Sequence, residues 1–397
     1  MTAWRTATLG DEIELAYGKS LPERSRLDGP VGVYGSNGVV GHHLDACVTG
    51  PGIVVGRKGS VGEVAYSSGD FWPIDTTYYV VQKADHNWRF LYHLLRYADL
   101  TGLNSHSTIP GLNREDVYKI EVRLPERAVE DGVASVLDWI ERATQLESDA
   151  IARTEGLKAA AMRQLFSRGL QGEAQKETEI GPIPESWELA TLDKHFSVVS
   201  GGTPSRGNDS FWVGGTIPWV KTTEVKYSVI TETEERITQT GLEGSAAKML
   251  GPGTVLMAMY GQGVTRGKVG ILGIEASCNQ ACAAMTPTDN SVLPRYLYHY
   301  LTSRYEAIRS LAHGGQQQNL NLDIVRKIDF PVPSTNDEQQ EIVDVLDALD
   351  RKIDLHRRKR EVLDQLFKSL LHKLMTGEVS VADLDLSALS TLEGSAA

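Results

Sequence analysis

From Ile342 onward, apolar side chains recur at alternating steps of four and three: Ile342, Leu346, Leu349 and Ile353, then polar His356 and Arg360, then Leu363, Phe367, Leu370 and Leu374. This is the heptad seam of a long helix that packs on another helix. A matching seam precedes it: Val133, Leu137, Ile140, Thr144, Glu147, Ile151, Thr154, Lys158, Ala161 and Leu165. Both seams are apolar at their ends and more polar in the middle, an arrangement that fixes register at a cost in stability. Two such helices in one chain bury their seams most simply by pairing antiparallel about a pseudo-two-fold axis.

Ahead of each helix the pattern changes. Short apolar runs closed by turn residues, such as "GIVVGRKG" at 52–59 and "TYYVVQ" at 77–82, predict strands, and "WRFLYHLLRYADL" at 88–100 predicts a short helix. Blocks of this region recur in order: "AWRTATL" at 3–9 with "SWELATL" at 186–192, "RFLYHLL" at 89–95 with "RYLYHYL" at 295–301, and "LNREDVYKIEVRLP" at 112–125 with "LNLDIVRKIDFPVP" at 320–333. The chain is therefore a duplication. Its predicted class is α/β (α+β): a globular unit at 1–125, a helix at 126–170, a linker at 171–185, a second unit at 186–333, a second helix at 334–378, and an acidic, flexible tail at 379–397.

The formal charge of −12 argues against nucleic acid only as a total. The linker holds one Lys against four Glu, residues 378–397 hold four acids and no base, and residues 186–333 balance 13 against 13. The globular units are thus near neutral. No apolar run reaches the length of a membrane span, and the N-terminus lacks the apolar centre of a signal peptide. The three cysteines, Cys47, Cys278 and Cys282, suit a reducing compartment, so the expected location is cytoplasmic.

Three near misses concern chemistry. "MAMYGQGVTRGKVGI" at 257–271 has the vocabulary of a phosphate loop. Its glycine spacing is wrong, Val269 replaces the hydroxyl, and a strand rather than a helix follows. Asp209 with Glu224 and Lys226 faintly resembles the carboxylate set of Mg-dependent nucleases, but the first copy lacks the trio. Neither "GHH" at 41–43 with Cys47 nor Cys278 with Cys282 offers zinc-ligand spacing, so no metal is expected. Trp4, Trp187, Trp212 and Trp219 are read as core residues, and Asn113 and Asn321 as caps or turns.

With these residues in place, the chain resembles the specificity subunit of type I restriction-modification enzymes. The resemblance is carried by "SGGTPSRGNDSFWVGGTIPWVKTTEV" at 200–225, "NQACAAM" at 279–285, "GGQQQNLNLDIVRKIDFPVP" at 314–333 and "EQQEIVDVLDALDRKID" at 338–354, and in the first half by "GRKGSVGEV", "FWPIDTTYYV" and "LNREDVYKIEVRLP". It spans about residues 1–378. It implies two target recognition domains, each reading half of a split DNA site, with the helices as spacer and no catalysis on this chain. The implied partners are double-stranded DNA, two methyltransferase subunits and up to two restriction subunits. S-adenosylmethionine, ATP and Mg are implied on those partners and no cofactor here. The alternatives are a free-standing Mg-dependent nuclease and a scaffold that binds no DNA. Val133 to Leu165 amounts to roughly 50 Å of helix at about 1.5 Å per residue, a spacing on the order of 12–15 base pairs.

Groove and phosphate contacts need Arg, Lys, amides and hydroxyls on loops. The candidates in the first unit are Lys19, Arg24, Arg26, Ser36, Asn37, Arg57, Lys58, Ser60, Ser105, His106 and Ser107. Those in the second are Thr203, Ser205, Arg206, Asn208, Lys221, Thr222, Tyr260, Gln262, Thr265, Arg266, Lys268, Gln316, Gln317 and Gln318. The loop at 257–271 pairs with "VVGRKGSVGEV" at 54–64, with about six residues inserted around Gln262 to Arg266. A DNA phosphate is its expected ligand.

Overall fold

The computed structural model describes residues 4–106, 111–261, 264–313 and 319–384. The chain forms two compact units, and these do not follow the repeat boundaries: one contains residues 1–149 and 356–397, the other residues 150–355. Both long helices, Arg127–Arg168 and Asn336–Thr376, contribute a half to each unit.

In the first unit a four-stranded antiparallel sheet runs in the order Ile13–Tyr17, Thr77–Gln82, Gly52–Gly56, Val64–Ser67. A three-stranded sheet places Val31–Gly35 between Gly38–His43 and Phe71–Pro73. Arg5–Thr8 pairs with Glu121–Leu124. Alternation sets the faces: Ile13 and Leu15 are buried while Glu14 between them is exposed. Helix Trp88–Tyr97, capped by the Asn87 side chain, lays Phe90, Leu91, Leu94 and Leu95 on the sheet core. The same core takes Val133, Leu137 and Ile140 from one long helix and Leu363, Phe367, Leu370 and Leu374 from the other. The two helix segments are antiparallel here, since Val133 lies beside Leu374 and Glu147 hydrogen-bonds His356.

The second unit repeats this plan. Its main sheet runs Phe196–Ser200, Cys282–Pro287, Val255–Ala258, Val269–Leu272, with Val229–Ile230 added at the edge. A three-stranded sheet is centred on Ile217–Val220, and Glu188–Thr191 pairs with Asp329–Val332. Helix Pro294–Ser303 packs on a core that includes Leu165, Ile342 and Leu346. Here the seam continues through buried Ile151, Thr154 and Ile353. The Lys158 ammonium, almost wholly buried, donates to Asp350 at 2.5 Å. Arg360, by contrast, is exposed.

Each long helix ends at a glycine with left-handed backbone, Gly169 (φ +63°) and Gly377 (φ +72°). Trp187 packs against the first and Trp4 against the second. Trp187 and Trp219 are fully buried and Trp4 and Trp212 half-buried. Asn113 and Asn321 are helix N-caps, accepting from Glu115 N–H and Ile324 N–H.

The tail differs from expectation at its start. Val379, Val381 and Leu384 pack against the first unit's core, because they are apolar and lie directly beyond the Gly377 turn. No helix among the described residues is long and apolar enough to cross a membrane.

Candidate nucleic-acid interface

The predicted residues of the first unit gather mainly at one end of its four-stranded sheet. Gly56 N–H and Glu63 O close the turn that carries Arg57, Lys58 and Ser60. Backbone N–H groups of Arg57 and Lys58 both donate to Thr76 O at 3.0 Å. The Ser36 hydroxyl is spent internally, its single proton shared between Thr76 O at 2.9 Å and Lys58 O, so it braces the loops. Lys19 stands over the Trp72 ring, whose indole N–H donates to Lys19 O at 2.8 Å. Arg26 reaches Val40 O at 2.9 Å, and Arg24 and Asn37 are exposed. Ser107, Gln262, Gln316, Gln317 and Gln318 lie outside the described residues, as do the side chains of Ser105 and His106.

Arg57 is half-buried, with its guanidinium 5.1 Å from the Tyr17 ring centre and 5.9 Å from that of Tyr78. A second guanidinium, Arg114, lies 5.3 Å from Tyr17. Sequence reasoning missed Tyr17 and Arg114. Tyr17 reads as the last residue of an alternating strand and Arg114 as the first turn of a capped helix, and only pairing of the distant segments brings them together.

The second unit keeps this frame and changes its chemistry. Met259 N–H donates to Ala281 O and Met259 O accepts from Leu320 N–H, as Arg57 does with Thr76 and Leu112. Strand register places Ser200 opposite Ala283 where the first unit has Tyr17 opposite Tyr78. Leu322, after the Asn321 cap, stands for Arg114. Neutral hydrogen-bonding groups flank this end: the Thr203 hydroxyl donates to the Gln280 side-chain oxygen, Tyr260 is 43% exposed, and the buried side-chain amide oxygen (Oδ1) of Asn279 has no partner among the described residues. The glycine-rich turn is closed between Ala258 and Lys268, ten positions against seven from Gly56 to Glu63. The insertion is therefore three residues rather than about six, because strand pairing aligns Val55 with Met257 and Val64 with Val269 without a gap in either strand.

Two predicted cations of the second unit are committed to carboxylates. Arg206 pairs with Glu235 while its guanidinium lies 3.8 Å from the Trp212 ring centre, and Lys221 reaches Glu234 at 2.6 Å and Glu235 at 3.2 Å. These contacts hold Glu234 and Glu235 below the ordinary carboxylate range. Lys268 stands over Tyr227, Thr265 and Arg266 lie in the turn, Ser205 is exposed, Thr222 is half-buried, and Asn208 caps Ser210 N–H. The nuclease-like trio separates by role. Both Glu224 oxygens accept backbone N–H groups, from Lys221 at 2.8 Å and Glu234 at 2.9 Å, which makes Glu224 a loop brace.

Each unit fastens its short helix to a long one through one carboxylate. Arg89 and His93 converge on Asp138, and Arg295 and His299 on Asp347. With Glu141 and Asp350 these sets come close enough to hold a cation. The guanidinium of Arg89 or Arg295 and the ammonium of Lys158 already occupy those oxygens, so charge opposes a metal ion. Burial pushes Asp347 up, but hydrogen bonds from His299 and Arg295 outweigh it and leave its pKa at about 2. Burial lowers both imidazoles, whose Nδ1 atoms are buried and without a partner among the described residues. Each ring is thus the neutral Nε2–H donor to its aspartate.

Two mixed α/β heads built to one plan, each fastened to paired long helices, with chemically different loops at equivalent sheet ends, define a duplicated recognition protein. A profile described as the type I restriction modification DNA specificity domain matches residues 1–155 and again 184–365. The chain belongs to this family and carries the domain twice. The MjaIX type I restriction enzyme specificity subunit of Methanocaldococcus jannaschii is 27% identical over 199 residues, covering 48% of this chain and 44% of that one. The EcoR124I/EcoR124II specificity subunit of Escherichia coli is 27% identical over 196 residues, covering 46% and 48%. The chain thus spans about half the length of these curated relatives. A type I restriction-modification S subunit from M. genitalium superposes with TM-score 0.69 at 16% identity, over 94% of this chain and 96% of that one. A chain from a study of assembly and conformational transition of the type I R-M system gives 0.57 at 16%, over 96% and 100%. At this identity the two structures show the shared fold alone.

Proposed function

We propose that this chain is the DNA specificity subunit of a type I restriction-modification complex, with each unit reading one half of an asymmetric, split site on double-stranded DNA. The observation that carries the reading is the pair of sheet ends: one backbone frame bears Arg57, Arg114 and Tyr17 in the first unit and Met259, Leu322 and Ser200 in the second. Two readers of different half-sites require such a difference on a common frame. Two methyltransferase subunits and up to two restriction subunits would assemble on it in the cytoplasm and bring S-adenosylmethionine, ATP and Mg. The chain itself acts by positioning, without catalysis of its own.

The test is an exchange of residues 186–333 for the equivalent segment of a relative, followed by methylation mapping in cells that also express the methyltransferase. One half of the methylated motif should change and the other persist. An unchanged motif, or cleavage of plasmid DNA by the purified chain with Mg alone, would sink the reading.

A further inference from the structure

Resting on the DNA reading above, we propose that Arg57, Arg114 and Tyr17 form a binding site for one backbone phosphate of duplex DNA, a site that the first unit has and the second lacks.

Two guanidiniums flank one exposed phenol at 5.1 and 5.3 Å from its ring centre, and Tyr17 is 54% exposed. The ring favours each cation separately, while their mutual repulsion is relieved by an anion that reaches both. The protein supplies little of that anion. Arg57 has no ion pair among the described residues, although Asp75 lies in the adjoining turn. Arg114 has only Glu115 at 3.7 Å, a mostly exposed neighbour on its own helix. Burial, then the charge and hydrogen bond of neighbouring Tyr17, push the Tyr78 phenol up, and the nearby Arg57 and Arg114 cations oppose that rise.

The arrangement suits a phosphate. A guanidinium fixed against an aromatic ring presents its donors as a planar fork, which matches two phosphate oxygens. Tyr17 adds a hydroxyl donor beside that fork. The backbone around it is pinned: Arg57 N–H to Thr76 O at 3.0 Å and Leu112 N–H to Arg57 O at 2.9 Å. The Tyr78 hydroxyl donates to Leu112 O at 3.2 Å. Little ordering remains for binding to impose.

The second unit shows that the sheet end does not need this cluster to fold. Met259, in the Arg57 position, is buried in the core, and Ser200, Ala283 and Leu322 replace the rest. The cations are therefore an addition to the frame rather than part of it.

The experiment titrates the full chain into labelled duplexes of unrelated sequence across a range of NaCl. For Arg57→Gln with Arg114→Gln, affinity should fall by a similar factor on every duplex. The plot of log affinity against log salt should become shallower by about 0.9, the slope carried by a single neutralised phosphate. Arg57→Lys should keep most of the slope, and Arg153→Gln, removing an exposed cation of the long helix, should leave it unchanged. An unchanged slope in the double variant, with the wild-type chain binding normally, overturns the phosphate site and leaves the DNA reading standing. A loss confined to duplexes carrying one base pair overturns it in favour of base reading. Failure of the wild-type chain to bind any duplex overturns both. Thermal melts of the variants exclude misfolding, and Tyr17→Phe, which keeps the ring, should lose affinity without losing slope.

Discussion

His93 holds Asp138 through Nε2 at 2.7 Å, with its ring wholly buried and its other nitrogen unpaired among the described residues. The aspartate is the one polar group that makes this burial tolerable, and Arg89 shares it. Asp138→Ala leaves a buried ring N–H and a half-buried guanidinium without their acceptor. The expected loss is about 1–3 kcal/mol in the first unit, read as a lower urea midpoint for that unit's transition. Asp138→Asn, which keeps an acceptor, should recover part of it.

The equivalent carboxylate in the second unit gives an acid signature. The Asp347 pKa is about 2 in the folded chain, against about 3.9 for an unperturbed aspartate. Its contribution is present above the unfolded value and is lost as pH falls toward the folded one. Asp347→Asn should flatten the melting temperature against pH between about 4 and 2. An identical acid slope in wild type and variant would count against the clamp.

His86 gives the opposite sign. It is buried between Glu130 at 2.7 Å and Glu12 at 2.9 Å, and Arg5 also grips Glu12. The Glu130 hydrogen bond, ahead of opposing burial, raises its pKa. Its stabilisation is complete below the unfolded value near 6.5 and is lost as pH rises through the higher folded value. Ring NMR of His86 should show titration above that of exposed histidines, and His86→Gln should remove that part of the alkaline slope.

Lys158 and Asp350 are unequal partners, with side chains 11% and 27% exposed. Asp350→Ala leaves a mostly buried ammonium without its acceptor and should cost about 1–3 kcal/mol. Lys158→Met keeps the stem's packing and leaves the more exposed partner behind, so it should cost less than about 1 kcal/mol. Equal losses in urea unfolding would show that packing, not charge, holds the pair.

Gly201 admits no side chain. A Cβ there would lie 2.1 Å from Cys278 O. Gly201→Ala should displace the strand end beside Asn279 and Gln280, costing about 1–3 kcal/mol. It should weaken DNA binding beyond what the lower stability explains, as measured by gel shift below the melting temperature.

Much of the architecture was legible because it is periodic. Seam residues such as Leu137 and Leu346 announced both long helices to within two residues of Arg127–Arg168 and Asn336–Thr376. The recurrence of Asn113 and Asn321 pointed to caps, which they are. What escaped depends on pairing across long sequence separations. Nothing near Ser36 in sequence says that its hydroxyl is consumed by Thr76, and nothing near Glu224 says that its oxygens cap two loops. Cationic candidates could be counted. Whether a cation faces aromatic rings, like Arg57, or is committed to a carboxylate, like Arg206, is decided by neighbours that are far apart in the sequence.

The compact units cut across the duplication, and this bears on inheritance. A crossover in the linker at 171–185 would deliver a new second repeat whose helix must finish the core of the first head, through Leu363, Phe367 and Leu374, and whose head must rest on Leu165 and Gly169 from the old first repeat. Recombinants are therefore viable only where the seams match, whereas the sheet-end loops are free to drift. On the function proposed above, a head can be exchanged between chains only together with seam residues that complete its neighbour's core.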